Sequence, residues 1–127
     1  IYHQLISKYG LENYIIVTDS NLYELIYISN VVILSFSTVG VEAMRMKKAV
    51  ISLNLMGLHN SSLIIKNKMS IEVTNSEELT QAIKKISEIP LSQKIIDERK
   101  DFAEKELGII DGNAIDRIIK QIIQLKK

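Results

Sequence analysis

Cysteine is absent from the 127 residues. That absence removes disulfides, thiolate metal sites and a cysteine nucleophile from consideration. An excess of one charge is also missing: Lys and Arg total 16 against 15 Asp and Glu, so nothing points to nucleic acid as a partner. Apolar runs are short, far below the roughly 20 residues that span a bilayer. The opening residues show no charged start followed by a long apolar region, so neither a membrane span nor a signal peptide is expected. A cytoplasmic location fits these absences. Proline occurs once, at position 90, while apolar side chains make up 46% of the chain. That is enough for one compact domain with its own core, residues 1–127.

The apolar residues come in two rhythms. "YIIVT" (14–18), "VVIL" (31–34), "AVISL" (49–53) and "SIEV" (70–73) are short β-rich runs and read as strands. Between them the spacing turns helical. Leu22, Leu25 and Ile26 predict a short helix over 21–29, entered through the cap residues Asp19, Ser20 and Asn21. Residues 39–47 form the next helix, and a loop over 53–62 leads into a short helix around 62–67. Asn75 with Glu78 three residues on makes a capping box, followed by a face of Leu79, Ala82, Ile83 and Ile86 that Pro90 ends.

After Pro90 the strands stop. A charged helix over 91–107 is closed by Gly108, and a last helix over 113–126 carries Ile115, Ile118, Ile119, Ile122 and Ile123 on one face. That face reads as core or as an interface with a missing domain. "IYHQLISKYG" reads as a helix ending at Gly10 with no strand before it, and the chain starts with Ile. The expectation is a fragment whose N-terminal half is absent. Strands alternating with helices predict an α/β fold: an open, doubly wound parallel sheet, Rossmann-like, with right-handed crossovers and two C-terminal helices.

Chemistry concentrates at residues 35–42. In an open parallel sheet, ligands bind beyond the carboxyl ends of the strands, and Ser35 to Thr38 follow the run 31–34 directly. The next helix starts there, so its free N–H groups and positive dipole end face the same crevice. Small residues let a phosphate approach those amides, Gly40 removes an obstructing side chain, and Ser37 and Thr38 add hydroxyl donors. Glu42 lies about one turn further on, where an ionised carboxylate accepts two hydrogen bonds from a vicinal diol such as ribose. Together these groups suit a nucleoside diphosphate. The plain alternative is that Ser and Thr are N-caps, Gly serves a tight turn and Glu favours a helix start. Glu42, however, is not in the reciprocal capping-box position, which falls on Val41 or Gly40.

The stretch "SFSTVGVEAMRMKKAVISLNL" (35–55) resembles the C-terminal nucleotide-sugar domain of GT-B-fold glycosyltransferases and the related UDP-N-acetylglucosamine 2-epimerases. That family has a serine- or glycine-rich turn, a Glu-Ala pair in a helix, then Gly-Lys-Pro-Val-Ile leading into a strand. Here the order is Ser37-Thr38, Glu42-Ala43 and Lys48-Ala49-Val50-Ile51, with Lys47 in place of the glycine, Ala49 in place of the proline, and Asn30 where an aspartate is common. "DSNLYELIYISNVVI" resembles the family's segment before the turn-bearing strand. "DGNAIDRI" (111–118) resembles the closing helix of polysaccharide-assembly members. The resemblance spans roughly residues 12 to 120.

It implies a donor-binding domain of a glycosyltransferase acting in cell-surface polysaccharide biosynthesis, with a nucleotide diphosphate sugar, of UDP type, as substrate. Glu42 would hold the ribose, and Ser37, Thr38 and Val39 the diphosphate. The base would lie at the end of the strand 14–18, against backbone around Val17 and Thr18. Such enzymes resemble one another in needing no divalent metal, the helix terminus stabilising the leaving group, so no metal and no cofactor beyond the donor are expected. The base and acceptor site usually come from the N-terminal half, so this chain alone is expected to be inactive and to self-associate. A 2-epimerase, or a non-catalytic nucleotide-sugar-binding or assembly module, is the alternative. Further candidates each have an ordinary reading. His3 is a phosphate neighbour or a surface histidine, and His59 a sugar contact or a loop histidine. Arg45, Lys47 and Lys48 are an anion-attracting cluster or a solvated helix end.

Overall fold

The computed structural model describes residues 1–57, 63–109 and 111–125. Among the described residues, seven helices and three strands follow one another as α1 (Tyr2–Tyr9), α2 (Leu22–Ile28), β1 (Val31–Leu34), α3 (Val39–Arg45), β2 (Ala49–Leu53), α4 (Leu63–Lys66), β3 (Ile71–Val73), α5 (Ser76–Glu88), α6 (Gln93–Leu107) and α7 (Ala114–Leu125). The strands form one open parallel sheet in the order β1-β2-β3, with Val31 beside Ala49 and Ile51 beside Ile71. The chain is therefore an α/β protein with an all-parallel sheet.

Side chains alternate along a strand, and β2 uses both faces. Val50 joins a cluster with Ile26 of α2, Val41, Ala43 and Met44 of α3, Ile64 of α4, and Phe102 and Ala103 of α6. Ile51 points the other way, into a cluster with Val73 and Ala82 of α5. Both residues are fully buried, which explains why this strand is apolar without alternation. Each crossover, α3 and α4, thus lies on the same face of the sheet as α2, and α5 covers the opposite face.

The helix ends follow the sequence closely. Asn21 Oδ1 accepts the Tyr23 N–H and Asn75 Oδ1 accepts the Glu78 N–H. The returning bond from Glu78 goes to the Thr74 N–H, at 2.7 Å, rather than to that of Asn75. Gly10, in the left-handed region, closes α1, and Gly108 at φ 72° follows α6. Lys47 at φ 61° and Lys68 at φ 56° do the same work after α3 and α4 without being glycine. After α3 the Lys47 N–H reaches Met44 O and the Lys48 N–H reaches Ala43 O, the paired bonds of a Schellman ending.

Two expectations are corrected or left open. Residues 14–18 do not form a strand, and Tyr14 to Val17 are exposed. β-branched content supplies propensity, but strand hydrogen bonds come only from a neighbour's backbone, and here none takes them. The isoleucine face of α7 is not core either: its five isoleucines are 47–70% exposed and the helix buries no residue. Among the described residues, no helix is long and apolar enough to cross a membrane.

Candidate functional site

β1 ends at Leu34 and β2 at Leu53, so the carboxyl edge of the sheet is lined by Ser35–Thr38 and by the residues after Leu53. Ser35 Oγ donates to Leu53 O at 3.1 Å, tying the turn after β1 to the end of β2. Phe36 then takes a positive φ of 22°, uncommon for a bulky side chain. Ser37 Oγ accepts the Val39 N–H at 3.3 Å, and Thr38 O accepts the Val41 N–H at 2.9 Å. Thr38 is the N-cap residue by position, yet its side chain makes no capping bond and stays exposed. Ser37 is therefore partly committed to the fold, while the Thr38 hydroxyl remains accessible to solvent.

Glu42 is half-buried in α3. Its Oε2 is buried and has no hydrogen-bond partner among the described residues. A buried carboxylate oxygen without a donor is costly, so Glu42 is a group that the fold leaves unsatisfied among the described residues. The expected task of Gly40 is corrected. A Cβ there would lie 2.6 Å from Ile64 Cδ1 and 3.0 Å from Leu34 Cδ2. Its bare Cα faces the core, letting α3 sit close to the sheet and α4, rather than clearing space for a phosphate. Val17 and Thr18 are exposed and outside the sheet, so the strand end on which the base was to rest is not brought beside Ser37, Thr38 and Glu42.

The sequence reading missed a polar group at the same edge. Ser52 and Asn54 are each 1% exposed. Ser52 Oγ pairs with Ser70 Oγ at 2.7 Å, and Asn54 donates from its backbone to Val73 O and from Nδ2 to Glu72 Oε1, at 2.8 and 2.6 Å. The signal was present: residues 50, 52 and 54 share a face in "AVISLNL", and that face turns polar at the carboxyl end. Arg99 was missed as well. It is 7% exposed, its Nη1 has no partner among the described residues, and burial lowers the guanidinium pKa from its ordinary value. It stands in the stripe Arg99, Phe102, Ala103, and a charge at apolar spacing was the available clue.

The basic cluster after Glu42 divides. Lys48 Nζ donates to Tyr27 O at 2.6 Å, a cation on the negative end of α2, and also lies over the Tyr27 ring. Lys47 holds the left-handed position, and Arg45 Nη1 is buried without a partner. No exposed cationic patch of three results. His3 is exposed on α1, and His59 lies outside the described residues. A cavity of about 680 Å³ opens at the other edge of the sheet, between Asn30, Val31, Lys47 and Ala49 and the residues Ile86 and Pro90 at and after the end of α5. It borders the amino ends of β1 and β2, and Leu91 and Ile96, just before and at the start of α6, also line it. Among the described residues, no group of three or more His, Asp or Glu could hold a metal ion.

Comparison with family models, with curated proteins and with solved structures finds no match for this chain.

Proposed function

We propose that the chain is the donor-binding, C-terminal half of a GT-B-fold glycosyltransferase, taking a UDP-sugar at the carboxyl edge of its sheet for cell-surface polysaccharide assembly. The observation that carries this reading is the unpartnered Glu42 Oε2, buried in the first turns of the helix that follows β1. A ribose hydroxyl would supply the donor that this oxygen lacks. Support comes also from the accessible Thr38 hydroxyl and from the positive φ of Phe36, since strained backbone gathers at binding sites. Lys47 adds to it, because the position where the resembling family carries glycine is left-handed here. Sugar would pass from the nucleotide diphosphate to a glycan or lipid-linked acceptor. A separate N-terminal half would supply the base and the acceptor site, so the chain alone would show no turnover.

A second reading, an assembly module that docks a partner without catalysis, is favoured by the exposed isoleucine face of α7. On either reading that face drives self-association of the isolated chain. Amide chemical shifts recorded during addition of UDP test the first reading. Changes confined to residues 35–42 and 52–54 support it, whereas changes around Asn30, Lys47 and Ile86 place the ligand at the amino edge and refute it.

A further inference from the structure

α7 buries no residue, yet it is rich in apolar side chains. Ile115, Ile118, Ile119, Ile122, Ile123 and Leu125 are 47–86% exposed. At about 3.6 residues per turn, these side chains cover roughly half of the helix circumference. Asp116, Arg117, Lys120, Gln121 and Gln124 fill the other half, so the helix is divided lengthwise into an apolar and a polar side.

Positive charge gathers at the same element. From Asn113 to Lys127 there are four cations, Arg117, Lys120, Lys126 and Lys127, against one acid, Asp116. The residues before them hold the other 12 cations and 14 acids of the chain's 16 and 15. This short stretch is net +3 on a chain whose remainder is net −2. Arg117 is engaged by Asp111, whereas Lys120, on the polar side, has no ion pair among the described residues.

A second copy of α7 fits this face less well than a lipid surface does. Two paired helices cover a narrow seam, here Ile115, Ile118, Ile122 and Leu125, and leave Ile119 and Ile123 wet. The 12 residues of α7 also fall short of the three or four heptads that sustain such a pair. A lipid–water interface takes the whole apolar side at once, with the cationic side against anionic headgroups. We propose that α7 lies in the plane of an anionic membrane surface as a peripheral anchor, its isoleucines among the upper acyl chains and Lys120 at the headgroups. Where no membrane is present, the same face drives self-association. The anchor uses no residue of the Ser35–Glu42 site, so it stands or falls separately from the nucleotide reading.

The full chain is floated through a density gradient with vesicles of phosphatidylcholine alone, or of phosphatidylcholine and phosphatidylglycerol in equal parts. The expected result is a chain that floats with the anionic vesicles, stays behind with the zwitterionic ones, and is released by added salt. Amide exchange over residues 115–125 slows about tenfold or more on the anionic vesicles. Lys120→Gln binds them about fivefold more weakly, the effect of one cation near an anionic surface. Replacing Ile119 and Ile122 together by Glu abolishes flotation and leaves the urea midpoint in place, because neither side chain is buried. Flotation of that double variant overturns the assignment to α7, and equal flotation with both vesicle types overturns the anionic surface. A wild-type chain that stays in solution as a dimer or larger beside the anionic vesicles overturns the proposal and gives the face to a second copy.

Discussion

At the scale of single residues, Gly40 packs α3 against the core, while Glu42, within one turn of it, carries the proposed binding role. For Gly40→Ala, overpacking costs about 1–3 kcal/mol, set against about 1 kcal/mol gained in helix propensity. Ile64 is 2% exposed and has little room to rotate away from a Cβ at 2.6 Å, so the clash wins. A net loss near 1 kcal/mol is expected in urea denaturation, with UDP affinity of the folded fraction unchanged. Loss of affinity at full stability would show instead that Gly40 serves the ligand. Lys47 gives the opposite sign. A non-glycine residue in the left-handed region costs about 1–2 kcal/mol, so Lys47→Gly is expected to raise the urea midpoint by roughly 1 kcal/mol equivalent. No gain would mean the Lys47 side chain contributes contacts of its own.

Secondary-structure elements were legible where the sequence alone determines them and illegible where they need a partner. Asn21, Asn75 and Gly10 announced helix ends because capping is a local bond, and "VVIL" and "AVISL" announced strands because both lie in the paired sheet. "YIIVT" carries the same signal and has no neighbour. The helix stripe with Arg99 was readable only as a charged surface, since nothing in one sequence says which helix packs against which. The carboxyl-edge network of Ser52, Asn54 and Glu72 needed the register of two strands, which sequence does not supply. Glu42 was placed correctly in a helix after the turn, but the role given to Gly40 required knowing which way its Cα faces.

The start of α7 makes an element-scale prediction. Arg117 Nη1 lies 2.7 Å from Asp111 Oδ1, and its Nη2 donates to Ile109 O. The Arg117 side chain, with the Asn113 N–H, lowers the Asp111 pKa to about 2. The folded value is depressed, so the tie is complete above the ordinary carboxylate range and is lost as pH falls through about 2. A carboxyl NMR titration should find the Asp111 midpoint at about 2. A midpoint in the ordinary carboxylate range would mean the contact does not persist in solution. Both partners are exposed, so little change in global stability accompanies it.

For the molecule as a whole, two surfaces stand out: the isoleucine face of α7 and the carboxyl edge of the sheet. Contiguous exposed apolar area on a helix marks an interaction surface. Light scattering on the chain is expected to give a mass above the monomer that falls on replacing Ile119 and Ile122 together by Glu. An unchanged mass would exonerate this face.

The carboxyl edge carries the central claim, and calorimetric titration of UDP with and without chelator, on the wild type and on Glu42→Gln, tests it most directly. The account predicts binding that is indifferent to the chelator and weakened by about 1.5–3 kcal/mol in Glu42→Gln, with an unchanged melting temperature. Binding that appears only with a divalent ion, or a Glu42→Gln chain that melts early yet binds UDP normally, would contradict it.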